Sequence, residues 1–212
     1  MKESTGRIYE ELFSRYTDLG ECRADIMRAY EIMQTAYENG HKLLICGNGG
    51  SAADSEHIVG ELLKSFKKSR AIKPEVAKNL QKYGKDGEKL LNTLEGSLRA
   101  VSLTSHIALS TAYANDREPS VVFAQQLYGL ADSGDVLVAI STSGNSENCV
   151  LAATVAKATG VSVVSLTGKK ESRLSAISDV TIRVPETETF KVQERHLPVY
   201  HCLCAMLEEE NF

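Results

Sequence analysis

Lys42-Leu-Leu-Ile-Cys46, running into Gly47-Asn-Gly-Gly-Ser-Ala-Ala-Asp-Ser-Glu-His-Ile-Val-Gly-Glu61, is the stretch whose reading decides the fold. The apolar run predicts a short buried strand. Ile58, Leu62, Leu63 and Phe66 then recur at helical spacing and predict a helix over 51–67. Strand, glycine-rich turn and helix together present backbone N–H groups and a helix dipole to an anion. Gly47, Gly49 and Gly50 let the backbone approach a ligand closely, and Ser51 can cap the helix or donate its hydroxyl. His57 and Glu61 are four apart and share one helix face. They suit acid–base chemistry or metal ligation, although a His and Glu so spaced are more often simply a solvated pair. The turn itself serves equally as a plain β–α connection. It matches neither G-x-G-x-x-G nor the Walker pattern, which disfavours dinucleotides and nucleoside triphosphates.

A second stretch has the same form. Asp135-Val-Leu-Val-Ala-Ile140 reads as a buried strand and runs into Ser141-Thr-Ser-Gly-Asn-Ser146, before a helix over about 147–159. Hydroxyls at Ser141, Thr142, Ser143 and Ser146, between a strand's carboxyl end and a helix's amino end, form a neutral, donor-rich cradle suited to a phosphate monoester. Further strands are expected at 99–104, 161–166 and 179–184, with helical segments at 106–114, 120–131 and 174–178. Strand and helix alternate, so the expected fold is α/β: a three-layer αβα sandwich around a mainly parallel five-stranded sheet. Both special loops fall at the carboxyl ends of strands, where such sheets bind ligands.

Around this core, residues 1–40 read as a helical lead-in, broken near Gly20 and ended by Asn39-Gly40. It suits packing against a neighbouring subunit or over its own sheet. Residues 68–98 read as a helical insertion rich in Lys and Glu, either a lid or oligomer contact or a solvated excursion. The last helix, over about 190–209, carries Gln193 and His201 on nearby parts of its wheel and contains Pro198, a source of kinking. The 212 residues suffice for one core, and one domain over 1–212 is expected. A net charge of −4 without a long basic block gives no nucleic-acid footprint. The five cysteines lack C-x-x-C spacing and read as buried free thiols. With no apolar run of membrane-spanning length and no signal-peptide core, a soluble cytoplasmic protein is expected, with no membrane partner.

Four motifs in register resemble the sugar isomerase (SIS) domain family and, within it, the sedoheptulose 7-phosphate (phosphoheptose) isomerases. They are C-G-N-G-G-S-A-A-D-S-E-H-I-V-G-E-L at 46–62, A-N-D at 114–116, G-D-V-L-V-A-I-S-T-S-G-N-S at 134–146 and V-Q-E-R-H-L-P-V-Y-H at 192–201. The resemblance implies a flavodoxin-like SIS fold and a homotetramer whose sites draw on more than one subunit. It places phosphate and sugar binding on Asn48, Gly49, Gly50, Ser51, Asp116, Ser141, Thr142, Ser143, Ser146 and Gln193. It places a zinc ion on His57, Glu61, Gln193 and His201, and the catalytic acid–base pair on Glu61 and His201. Three departures bear on the sugar. The segment between Glu61 and Asn115 is longer than the family's usual one, Lys64-Ser65-Phe66 lacks a family Arg, and Phe190 stands where some relatives have an acidic residue.

The implied reaction is ketose–aldose interconversion of sedoheptulose 7-phosphate and D-glycero-D-manno-heptose 7-phosphate through an enediol(ate). One carboxylate and one imidazole suffice for its proton transfers. The alternatives are isomerisation of another ketose phosphate, and a non-catalytic sugar-phosphate-binding or regulatory SIS protein of the replication-initiator-associated type. That type lacks the final His of the fourth motif, and His201 is present here.

Overall fold

The computed structural model describes residues 1–212. The chain opens with α1 (Glu3–Arg15), a 3-10 segment (Thr17–Cys22) and α2 (Arg23–Glu38), so the break in the lead-in falls around Gly20. Gly40, at φ 76°, turns the chain into β1 (Leu43–Gly47), which leads through the glycine turn into α3 (Gly50–Leu63). The insertion forms α4 (Pro74–Leu80), a 3-10 turn and α5 (Gly84–Thr93). Then follow β2 (Ala100–Ser102), α6 (Ile107–Asp116), α7 (Val122–Leu130), β3 (Val136–Ile140), α8 (Glu147–Ala158), β4 (Ser162–Thr167), α9 (Arg173–Ile177), β5 (Val180–Arg183) and α10 (Thr189–Asn211).

All strand pairs are parallel, in the order β2-β1-β3-β4-β5. Burial on both faces explains why β1 and β3 read as unbroken apolar runs, while β4 keeps Ser162, Ser165 and Thr167 among its apolar residues. Alternate residues feed separate cores. Leu43, Ile45, Val136, Val138, Ile140, Val164 and Leu166 pack with α1, α2 and α10, while Leu44, Cys46, Leu137, Ala139 and Val163 pack with α7 and α8. The strand order reverses between β1 and β3, the switch point at which flavodoxin-like sheets open a ligand crevice. The glycine turn and the hydroxyl loop leave these two strands side by side, Gly47 being in register with Ile140.

One boundary differs in a way that matters. The helix expected over 51–67 stops at Leu63, although Phe66 continues its apolar period. Arg70, inside the insertion, donates from Nη1 to the Leu62 carbonyl at 2.6 Å and from Nη2 to the Glu61 carbonyl at 2.7 Å. Its Nε donates to Glu208 Oε1 at 2.8 Å, and Glu208 also accepts from the backbone N–H groups of Phe66 and Lys67. This fully buried pair satisfies the helix's last carbonyls and draws the chain away from the helix axis. Within the insertion only 74–93 is helical, and Gly87 lets α5 cross close to the Leu80 carbonyl, 1.9 Å from where a Cβ would stand.

Candidate active site

Two polar centres lie along α3. At its amino end, Gly49 takes φ 57°, and a Cβ on Gly47 would stand 2.6 Å from the Ser51 carbonyl oxygen. Ser51 and Ser141 are buried beneath the crevice, and the Ser141 and Ser146 hydroxyls meet at 2.9 Å. Asn48 and Asn148 exchange amide hydrogen bonds of 2.9 and 2.8 Å, tying the two loops together. Thr142 is partly covered, while Ser143 is exposed and accepts from the Asn145 N–H at 3.1 Å. The Ser51, Ala52 and Ala53 N–H groups bond to the Asn48 and Gly49 carbonyls, so at the helix starts it is the N–H groups of Gly50 in α3 and of Glu147 and Asn148 in α8 that are left to water or an anion.

Two turns further along α3, His57 and Glu61 face α10. His57 Nε2 is 3.2 Å from Glu61 Oε1 and 3.4 Å from His201 Nε2. On the other side of the same ring, Nδ1 lies 3.0 Å from the Tyr200 hydroxyl, which is 3.2 Å from Asp54 Oδ1. Glu61 Oε2 is buried with no hydrogen-bond partner; its nearest cation is Lys64 Nζ at 3.6 Å. Burial, then the neighbouring His57, lowers the His201 pKa below the ordinary imidazole value, against the pull of Glu61. Burial raises that of Asp54, against the Tyr200 hydrogen bond and His57.

The donor set fits a cation. Two imidazole nitrogens and a carboxylate converge, and an ionised carboxylate can only accept hydrogen bonds. The separations of 3.2 and 3.4 Å match the edge of about 3.3 Å implied by tetrahedral bonds of roughly 2.0–2.1 Å. No three His, Cys, Asp or Glu side chains enclose one point in this conformation. Two edges of a candidate site are thus in place through His57 Nε2, and closing the third requires a side-chain rotation of Glu61 or His201. A groove of about 310 Å³ opens beside His201, bordered by Arg15, Phe66, Lys67 and Pro198. The larger groove of about 640 Å³ lies around Arg28, His41 and Asp179 and shares no residue with either polar centre.

Not every expected site residue joins these centres within one chain. The Gln193 amide lies against Gly50, whose Cβ would stand 2.5 Å from Nε2, and so belongs beside the cradle. Asp116 is exposed in the last turn of α6, where its carboxylate accepts from Asn115. Sequence reasoning missed Asp54, Tyr200, Asn148 and the Arg70–Glu208 clamp. Asp54 had a signal, lying three residues before His57 on the same helix face. Tyr200, at helical spacing with Val199, Leu203 and Leu207, carries only the signal of an apolar helix face. Arg70 and Glu208, 138 residues apart, had none.

SIS domain patterns match residues 98–206 and, in a second form, residues 10–102. The chain is 36% identical over 206 residues to the phosphoheptose isomerase of Coxiella burnetii (strain RSA 331 / Henzerling II), covering 95% of this chain and 91% of that protein. The solved phosphoheptose isomerase from Francisella tularensis superposes with a TM-score of 0.73 at 27% identity, over 99% of this chain and 100% of that one. The phosphoheptose isomerase of Neisseria gonorrhoeae gives 0.71 at 29% identity, over 94% and 98%. With the β1/β3 crevice, the hydroxyl cradle and the His–Glu–His cluster in place, the chain belongs to the SIS domain family and, within it, to the phosphoheptose isomerases, which are aldose–ketose isomerases.

Proposed function

We propose that this enzyme interconverts sedoheptulose 7-phosphate and D-glycero-D-manno-heptose 7-phosphate. The observation that carries the reading is the placement of an acid–base cluster on the same helix as a phosphate cradle. Ser51 and His57 are separated by about 9 Å of helix rise, a span that an extended seven-carbon phosphate can bridge. The cradle holds the ester through the hydroxyls of Ser51, Ser141, Thr142, Ser143 and Ser146 and the amino ends of α3 and α8. Donors fixed before the ligand arrives lower the cost of ordering it.

At the other end, the reaction moves one proton between C1 and C2 and another between the two oxygens. Glu61 and His201 carry these protons as the acid–base pair. Glu61 divides the work between its oxygens: Oε1 faces His57, while Oε2, buried and unpartnered, is free to take a proton. Burial and the neighbouring His57 lower the His201 pKa, which favours the ring form that can accept a proton. His57, Glu61 and His201, joined by Gln193, would hold a zinc ion, which when bound polarises the substrate carbonyl and stabilises negative charge on oxygen.

We further propose a cytoplasmic homotetramer with sites shared between subunits. No helix is long and apolar enough to cross a membrane. Ile107 and Leu109 on α6, Leu90 and Leu94 on and beside α5, and Tyr83 are exposed and suit subunit contacts. The position of Gln193, away from its own chain's His201, is in keeping with composite sites. The test is a panel of ketose phosphates of different lengths, followed by NMR for aldose formation. Turnover confined to the heptulose is expected. Faster turnover of a shorter ketose phosphate would move the substrate, and tight binding without turnover of any sugar would overturn the enzymatic reading.

A further inference from the structure

Tyr200 lies almost wholly inside the protein at 2% exposure, yet its hydroxyl has two polar neighbours and one proton to give. Asp54 Oδ1 stands at 3.2 Å and His57 Nδ1 at 3.0 Å. Asp54 Oδ2 is buried and makes no hydrogen bond, so Oδ1 carries all of that carboxylate's protein hydrogen bonding. Were the Tyr200 proton turned toward His57, the half-buried Asp54 carboxylate would keep no hydrogen bond from the protein, and a buried acceptor left so costs about 1–3 kcal/mol. The proton therefore goes to Asp54, and the Tyr200 oxygen becomes an acceptor. The only partner left to it is His57, which must then present an N–H at Nδ1.

We propose that Asp54 and Tyr200 are positioning residues that hold His57 as its Nδ1–H tautomer, so that Nε2 points its lone pair at Glu61 Oε1 and His201 Nε2. The direction of the hydrogen bonds is carboxylate accepting from phenol, phenol accepting from imidazole. The free Nε2 is then the atom available to a metal ion or a proton at the centre of the cluster. The relay also fixes the ring plane, because Nδ1 is held from α10 while the Cβ is held by α3. A partner behind a ligating imidazole sets both tautomer and orientation. The proposal rests on the isomerase reading for its consequence, but the tautomer itself is a property of the protein without metal or substrate.

The experiment is long-range ¹H–¹⁵N correlation NMR of the metal-free, ¹⁵N-labelled protein at alkaline pH, with the His57 ring assigned by its disappearance in His57→Gln. The expected result is an Nδ1-protonated pattern in the native protein. In Tyr200→Phe, which keeps the ring and its packing, and in Asp54→Ala, the pattern should shift toward the Nε2–H form that free imidazole side chains favour. Zinc affinity, read by competition with a chelator, should fall about 10- to 100-fold in both variants. An Nε2–H pattern in the native protein, or an unchanged His57 pattern in a folded Tyr200→Phe or Asp54→Ala protein, overturns the proposal. An Nδ1–H His57 in a protein that turns over no ketose phosphate would uphold the relay and remove the isomerase reading instead.

Discussion

At the amino end of α3 the cradle's polar atoms satisfy one another, Ser141 with Ser146 and Asn48 with Asn148. Two turns along the same helix, His57 Nε2, Glu61 Oε1 and His201 Nε2 converge, while Glu61 Oε2 has no hydrogen-bond partner. The first centre is stable while empty and exchanges its internal bonds for those to a phosphate. In the second, Glu61 Oε2 has Lys64 Nζ at 3.6 Å but no hydrogen bond, so it can still take a proton or a hydrogen bond from a ligand. A satisfied polar site favours binding, whereas an unsatisfied one holds groups ready to change partner, as proton transfer requires.

The largest effect should come from the incomplete centre. Glu61→Gln and His201→Ala are each expected to lower kcat about 10²- to 10⁴-fold, the usual worth of a general acid or base. Steady-state assays of aldose formation check this, with KM changing far less. Next comes the clamp that ends α3 beneath Glu61. Arg70→Met leaves the buried Glu208 carboxylate without its guanidinium and is expected to cost about 3–5 kcal/mol in urea unfolding. Burial works against Glu208, but two backbone N–H groups and Arg70 outweigh it and hold its pKa below the usual carboxylate range.

A third test uses His196, fully buried on α10. Its Nε2 donates to the Thr167 carbonyl at 3.3 Å and its Nδ1 has no partner. Burial pushes its pKa down to about 4, only partly opposed by that carbonyl. The unfolded chain, with an ordinary imidazole, binds a proton that the folded one refuses between about pH 6.5 and 4. Stability therefore holds above that window and declines as pH falls through it, by roughly 3 kcal/mol in all. Urea unfolding at stepped pH should show this slope in the native protein and a shallower one in His196→Gln.

The smallest effect should come from the satisfied centre. Ser141→Ala removes one hydroxyl from the cradle and is expected to raise KM about 10- to 100-fold, in line with the roughly 1.5–3 kcal/mol of a hydrogen bond to a charged group. The kcat value should stay close to native. A larger loss in kcat than in KM would break the division between a binding end and a proton-transfer end.

The fold was legible in the sequence because β1 and β3 are buried on both faces and so write themselves as continuous apolar runs, with Val163, Val164 and Leu166 marking β4. The cradle was legible for a similarly local reason, since its glycines and hydroxyls follow those strands directly. The carboxyl end of α3 was not. Phe66 extends the apolar period, and the interaction that overrides it joins Arg70 to Glu208, far along the chain. Spacing on α10 placed Gln193 and His201 at related wheel angles, but a wheel angle does not say which neighbour each side chain meets. The spacing of Tyr200 fits an apolar helix face, and only the structure reveals what its hydroxyl touches. Proton positions within a cluster depend on partners brought together by the fold, so they escape any linear reading.

The most direct measurement follows deuterium entry from D₂O into sedoheptulose 7-phosphate and its aldose product by NMR, in native protein beside Glu61→Gln. The expected result is exchange at C1 or C2 in the native protein, accompanying aldose formation, and its loss in the variant while phosphate-ester binding persists. Exchange that continues undiminished in Glu61→Gln would contradict the assignment of proton transfer to the Glu61–His201 pair.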